Sequence, residues 1–136
     1  MKFTSFNPLI VSADAEAVIK LFEDLGFERN HQQDNVGGIN VDNTSLKDPN
    51  GFKVDVAYAP DMKQDLTIIR MNVDDFDAAY DELIARGFTH QSGRIVRTDT
   101  SVSAMLKSPS GFAFDLCHIK RMCRFTYQRN SKQIID

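Results

Sequence analysis

At 136 residues, 42% hydrophobic and 26% charged, the chain has the composition of a globular protein large enough to bury one core. No apolar run approaches the roughly 20 residues a membrane span needs, and the N-terminus lacks the basic start and apolar stretch of a secretory leader, so a cytoplasmic protein is expected. The net charge of −3 is unevenly spread: five Lys or Arg and one Asp give residues 120–136 a net of +4, which leaves −7 on residues 1–119, and so acidic a body argues against nucleic acid as a partner.

The first predicted element is a strand in "FNPLIVS", residues 6–12. Ser12 and Asp14 then supply helix-capping side chains. The stretch "AEAVIKLFEDLGF" puts Ala15, Val18, Ile19, Phe22 and Leu25 on one stripe and stops at Gly26. Three strands follow, at about 27–33, 38–47 and 52–58. The order then starts again. A strand in "LTIIRMNV", residues 66–73, precedes Asp74 and Asp75. Next, "FDAAYDELIARGF" puts Phe76, Ala79, Tyr80, Leu83 and Ile84 on one stripe and stops at Gly87. Three more strands fall at about 88–95, 101–107 and 112–118. The tail "KRMCRFTYQRNSKQIID" is basic and reads as a solvated terminus. Cys117 and Cys123, six apart, match no zinc or redox spacing, so reduced thiols are expected.

The second half copies the first. Residues 46–55, "LKDPNGFKVD", and 106–115, "LKSPSGFAFD", agree at six of ten positions, and Gly26 and Gly87 lie 61 apart against 60 for these turns. In both turns Pro fixes one dihedral and Gly is free to take positive φ. A mixed repeat of this length is a duplicated module, about 1–60 and 61–119, and not a solenoid. Both halves are expected to build one α+β domain over 1–119, with the tail outside it.

This order resembles the vicinal oxygen chelate superfamily, which includes glyoxalase I, bleomycin-resistance proteins and extradiol dioxygenases. The residues that carry the resemblance are the two P-x-G-F-x-x-D segments and "VDDFDAAYDELIARGF". The resemblance implies two βαβββ modules whose mixed sheets curl around a cavity. It also implies a metal held from the first and last strand of each module. Matched by position, those places are Asn7 and Ile68, each seven before an aspartate, and the two strand-closing acids Asp55 and Asp115. The family usually carries His or Gln at the first two and Glu at the last two. Ile68 cannot ligate, Asn7 is a neutral oxygen donor, and no imidazole remains, a set that suits neither zinc, nickel nor iron. Asp55 and Asp115 would at most hold a hard divalent cation weakly, with water completing its shell.

Strand alternation puts Phe52, Val54 and Val56 opposite Lys53, Asp55 and Ala57, and Phe112, Phe114 and Leu116 opposite Ala113, Asp115 and Cys117. The apolar sets are expected to pack on the helices and the aspartates to face the cavity. In the fifth strand Ile68, Arg70 and Asn72 share a face. Arg70 would there neutralise both aspartates, or clamp a carboxylate or phosphate. His31, His90 and His118 are expected at surface or sheet-edge positions and not as ligands. "GGIN" at 37–40 is no phosphate loop.

The candidate ligand-binding set is therefore Asn7, Asp55, Ile68, Arg70, Asn72, Asp115 and Cys117, with no catalytic residue assigned. The leading expectation is a homodimeric protein of this superfamily that binds a small organic molecule without a transition metal or other cofactor. Its manner would be nearer the bleomycin-binding proteins than glyoxalase. The alternative is a divalent-metal-dependent lyase or dioxygenase working on Asp55 and Asp115. A third reading makes the basic tail a site for an acidic partner.

Overall fold

The computed structural model describes residues 1–33, 43–91 and 93–119. In the first module β1 (Phe3–Ser12) leads to α1 (Ala15–Asp24), then β2 (Glu28–Gln33), β3 (Asn43–Lys47) and β4 (Lys53–Tyr58). The second runs β5 (Leu66–Val73), α2 (Phe76–Ala85), β6 (Thr89–His90), β7 (Val96–Arg97), β8 (Ser101–Lys107) and β9 (Ala113–Ile119). The expected strand over 88–95 is corrected to the two-residue β6: the backbone turns at Gly93, φ 63°, before β7 begins. Of the expected strand 38–47, only the part from Asn43 lies within the described residues. The "GGIN" segment, Cys123 and the basic tail lie outside them.

Both helices end in the same way. The N–H of Phe27 donates to the Phe22 carbonyl at 2.9 Å and that of Gly26 to Glu23 at 3.1 Å; Phe88 donates to Leu83 at 3.0 Å and Gly87 to Ile84 at 3.0 Å. This pair of bonds needs a left-handed residue just past the helix, and Gly26 (φ 107°) and Gly87 (φ 94°) supply it. The repeated turns also match. Asp48 Oδ1 accepts from the N–H of Asn50 and Phe52, and Ser108 Oγ from Gly111 and Phe112. Sixty residues apart, the copied sequence makes the copied turn with different side-chain acceptors.

The strands form one open mixed sheet in the order β2-β3-β4-β1-β5-β9-β8-β6, with β7 beside β8. The resemblance implied two curled sheets; they are continuous because the two first strands pair, β1 antiparallel to β5. Within the modules β1 runs parallel to β4 and β5 parallel to β9.

Both helices lie on one side of this sheet. Ala15 and Ile19 of α1 pack on Leu46, Val54 and Val56; Phe76 and Ala79 of α2 pack on Met71, Leu106 and Leu116. Burying each aliphatic side chain contributes roughly 1.5–3 kcal/mol, so these two clusters hold the outer face. Two expected stripe residues are corrected: Leu25 caps α1 and is exposed, and Ile84 lies at the exposed edge of its stripe. The expectation for the turn phenylalanines also fails. Phe52 is 68% exposed, and Phe112, 49% exposed, meets Phe88 and Phe114 edge to face, because both precede their strands by one residue. The inner face carries a smaller apolar cluster of Leu9, Ala57 and Ile68.

Candidate functional site

The sheet register brings the four central strands' inward residues together. Asn7 lies opposite Arg70 and Leu9 opposite Ile68 across β1–β5; Asp55 lies opposite Leu9, and Asp115 opposite Arg70. Since Asn7 and Ile68 are equivalent positions of the two modules, so are Leu9 and Arg70. A pseudo-twofold axis thus passes between the two cross-strand pairs, of which Asn7–Arg70 is polar and Leu9–Ile68 apolar.

Arg70 makes the central contacts. Its Nε donates to Asp115 Oδ2 at 2.8 Å and its Nη1 to Asp55 Oδ2 at 2.8 Å, with Asn43 Oδ1 at 3.2 Å completing the shell. All three charged side chains are almost enclosed, Arg70 at 12% exposure and the aspartates at 6% and 10%. Burial alone disfavours the guanidinium's charge, but the carboxylates of Asp115 and Asp55 more than offset this, so its pKa lies above the ordinary arginine value. The positive charge is permanent. Cys117, also buried on this face, is pushed well above the usual thiol range, first by burial and then by Asp115. It is a neutral thiol, unlike the exposed, lowered-pKa thiols that react.

Every expected site residue falls on or beside this face. Asn7 is buried, with Nδ2 donating to the Pro8 carbonyl at 2.9 Å, and Asn72 Nδ2 bonds Ser5 Oγ at 2.7 Å. Of the two roles expected for Arg70, its contacts match neutralisation of the aspartates: Nε and Nη1 are engaged by Asp115, Asp55 and Asn43. His118 and His90 go elsewhere. His118 Nδ1 lies 2.7 Å from the Val73 carbonyl and His90 Nε2 2.7 Å from the Tyr80 hydroxyl.

Beside the face lies a cavity of about 490 Å³. Inward residues Asn7, Ile68, Lys107 and Ala113 line it together with outward Phe6, Pro8 and Phe112. Both faces contribute because β5 and β9 pair only from Ile69 and Phe114 onward. The cavity takes in Asn7 and Ile68 but not Asp55, Arg70, Asp115 or Cys117. The ion cluster is therefore a neighbour of the cavity and does not line its main wall.

Sequence reasoning missed Asn43, whose bond to Arg70 spans 27 residues, and the cavity residues Phe6, Pro8, Lys107 and Phe112. The strand pairing of Ser45 with Asp55 puts Asn43 on the inner face by alternation, so a correct β3–β4 register was the signal available.

The residues do not fit a transition-metal ion. A guanidinium occupies the space between the two carboxylates, at bonding distance from each, and would repel a divalent cation. The second first-strand position is a buried isoleucine, and among the described residues no group of three His, Cys, Asp or Glu side chains comes together.

Comparisons with known proteins agree with this architecture. Methylmalonyl-CoA epimerase from Mycobacterium tuberculosis is similar in structure, with a TM-score of 0.66 at 17% identity, covering 88% of this chain and 90% of that one. A glyoxalase/bleomycin resistance protein/dioxygenase superfamily member from Vibrio splendidus 12B01 gives 0.58 at 16% identity, covering 86% and 99%. A glyoxalase I mutant from Zea mays gives 0.61 at 16% identity, covering 86% of this chain and 43% of that one. At such identities these likenesses show the fold alone. No curated protein matches in sequence. The family model that does match spans residues 5–116, and the chain belongs to the Glyoxalase/Bleomycin resistance protein/Dioxygenase superfamily.

Proposed function

We propose that this chain binds a small organic molecule in the cavity beside Asn7 and Ile68 and uses no transition metal. The observation that carries the reading is the Arg70 ion cluster: a fixed positive charge bonds the two carboxylates at 2.8 Å each. In the superfamily, acids at those positions hold a metal. Taking a metal there would first require expelling a buried guanidinium, at a cost of several kcal/mol for breaking a buried pair. The lyase or dioxygenase reading depends on that expulsion. The epimerase and glyoxalase neighbours bring their fold to this comparison and not their chemistry.

The cavity supports binding on its own terms. Its volume of about 490 Å³ lies within the ~300–1,000 Å³ range of small-molecule sites. Phe6, Pro8, Ile68 and Phe112 give it apolar walls, and Asn7 and Lys107 supply the few polar groups that fix orientation. The proposed ligand-contacting residues are Asn7 and Ile68; Asp55, Arg70, Asn72, Asp115 and Cys117 form the buried polar floor beside them. A homodimer is part of the same proposal and predicts sedimentation at twice 15.4 kDa.

Native mass spectrometry of freshly purified protein tests the reading. We expect zinc, nickel and iron each below about one tenth of an equivalent, as the ligand preferences of these ions imply. Retained or added small molecules should be lost in Ile68→Trp, which fills the cavity. Stoichiometric transition metal that disappears in Asp55→Ala would overturn the proposal and favour the enzyme.

A further inference from the structure

Three inner-face side chains keep an oxygen to which nothing among the described residues donates, and two of them fix its polarity. Asn7, 5% exposed, leaves Oδ1 unpartnered, and Asp55, 4% exposed, leaves Oδ1 unpartnered while Oδ2 holds Arg70. The Asn7 amide cannot be turned round to remove the mismatch, because its Nδ2 donates to the Pro8 carbonyl, which can only accept. Asn72 Oδ1 is also unpartnered. It sets no polarity here, since the Ser5 hydroxyl at its amide nitrogen can donate as well as accept.

The charge count points the same way as the hydrogen bonds. Two carboxylates against one guanidinium leave the cluster formally at −1, in surroundings where an unbalanced charge is costly. A partner for these oxygens must donate hydrogen bonds, and the cluster accommodates one further positive charge and not two. Asn7 joins this cluster to the cavity, whose remaining walls next to it are Phe6, Pro8 and Ile68. Lys107 lies exposed at the cavity rim, where solvent screens its charge.

We infer that the ligand is a protonated organic amine, whose ammonium donates to Asn7 Oδ1 at the cavity wall, beside the formally negative ion cluster, while its apolar body fills the cavity. The inference rests on the reading of the cavity as a small-molecule site and names the chemical class of its ligand. A carboxylate or phosphate would meet unpartnered acceptors in place of donors.

Calorimetric titration of the wild-type protein with matched probes separates the two claims. The probes are 2-phenylethylamine, 2-phenylethanol, 3-phenylpropionate and ammonium chloride, with n-butylamine and n-butanol as a smaller pair. Each amine should bind about tenfold or more tighter than its alcohol, the lower end for a charge-assisted hydrogen bond, and the carboxylate more weakly than either. Asn7→Leu, which removes the acceptor, and, separately, Asp55→Asn, which removes the cluster's excess negative charge, should each bring the amine to within about threefold of the alcohol. The wild-type series needs no variant to fold. Equal binding of amine and alcohol, or preference for the carboxylate, overturns the amine assignment while small-molecule binding stands. Ammonium chloride binding as tightly as the organic amines overturns it in favour of a free ion. Binding by none of the probes overturns the amine assignment, and retained small molecules in the mass spectra then decide the broader reading separately.

Discussion

In the first module the helix stops at Gly26 and the last turn is tied by Asp48; in the second the helix stops at Gly87 and the turn is tied by Ser108. The backbone bonds of these four features repeat one by one. At the centre the copies diverge. Leu9 and Arg70 occupy the same place in their modules, as do Asn7 and Ile68, yet in each pair one residue is polar and the other aliphatic. A twofold-symmetric scaffold brings two equivalent aspartates to one axis, where symmetry alone would leave their charges opposed. A single arginine serves both, and it can come from only one copy. The turns and caps hold what duplication preserved, and the centre holds what it did not.

The largest expected effect separates Arg70 from its counterpart. Arg70→Met should cost roughly 3 kcal/mol or more, because it strands two buried carboxylates, whereas Leu9→Met, close in volume, should cost below about 1.5 kcal/mol. Urea denaturation measures both. Adding Asp55→Asn and Asp115→Asn to Arg70→Met should recover much of the loss. A single-variant loss below about 1 kcal/mol, the value of a solvated surface pair, would mean that the cluster matters little.

Next come the helix ends, where the modules should behave almost alike. Gly26→Ala and Gly87→Ala each force a side chain into the left-handed region, at roughly 1–2 kcal/mol. The second should cost more, since a Cβ at Gly87 meets Pro109 Cγ at 3.1 Å while one at Gly26 meets nothing. Thermal unfolding of the two variants would show the difference; a costlier Gly26→Ala would contradict it.

The helix starts differ more subtly. Asp75 accepts from the Ala78 N–H at 3.1 Å, but Asp14 makes no side-chain cap, and Ser12 Oγ instead accepts from the Asp14 N–H. Asp75→Ala should therefore cost about 1 kcal/mol and Asp14→Ala less. Equal losses would place the two caps on the same footing.

The smallest effect belongs to Asp74, whose counterpart is Ala13. The Lys2 N–H at 2.7 Å holds the Asp74 carboxyl below the usual range. A carboxylate with a depressed folded-state pKa contributes its stability above the ordinary carboxylate range and loses it as pH falls through the lowered value. Wild type should thus exceed Asp74→Asn slightly at neutral pH, and the gap should close in acid. A gap that widens in acid would show the opposite sign.

These contrasts also explain what the sequence could convey. Strand β5 and helix α2 were legible to within a residue, because alternation, Asp75 and Gly87 all act locally. The expected strand at 88–95 was not, since the turn at Gly93 interrupts its pairing with β8. Phe52 and Phe112 misled because alternation ran one residue past the strand into the turn. At the site, alternation alone put Asp55, Arg70 and Asp115 on one face. Asn43 and the unpartnered oxygens of Asn7 and Asp55 depend on strand register and long-range side-chain reach, which no local pattern encodes.

Nitrogen-15 NMR of the arginine side chains tests most directly whether one guanidinium serves both aspartates. Arg70 Nε–H should resonate apart from the others and exchange slowly with water, its shift moving in Asp115→Asn and its Nη resonances moving in Asp55→Asn. Arg86 and Arg97, with side chains 70% and 62% exposed, give the fast-exchanging reference. An Arg70 Nε–H that exchanges as fast as theirs, and moves with neither substitution, would contradict the ion cluster at the centre of this fold.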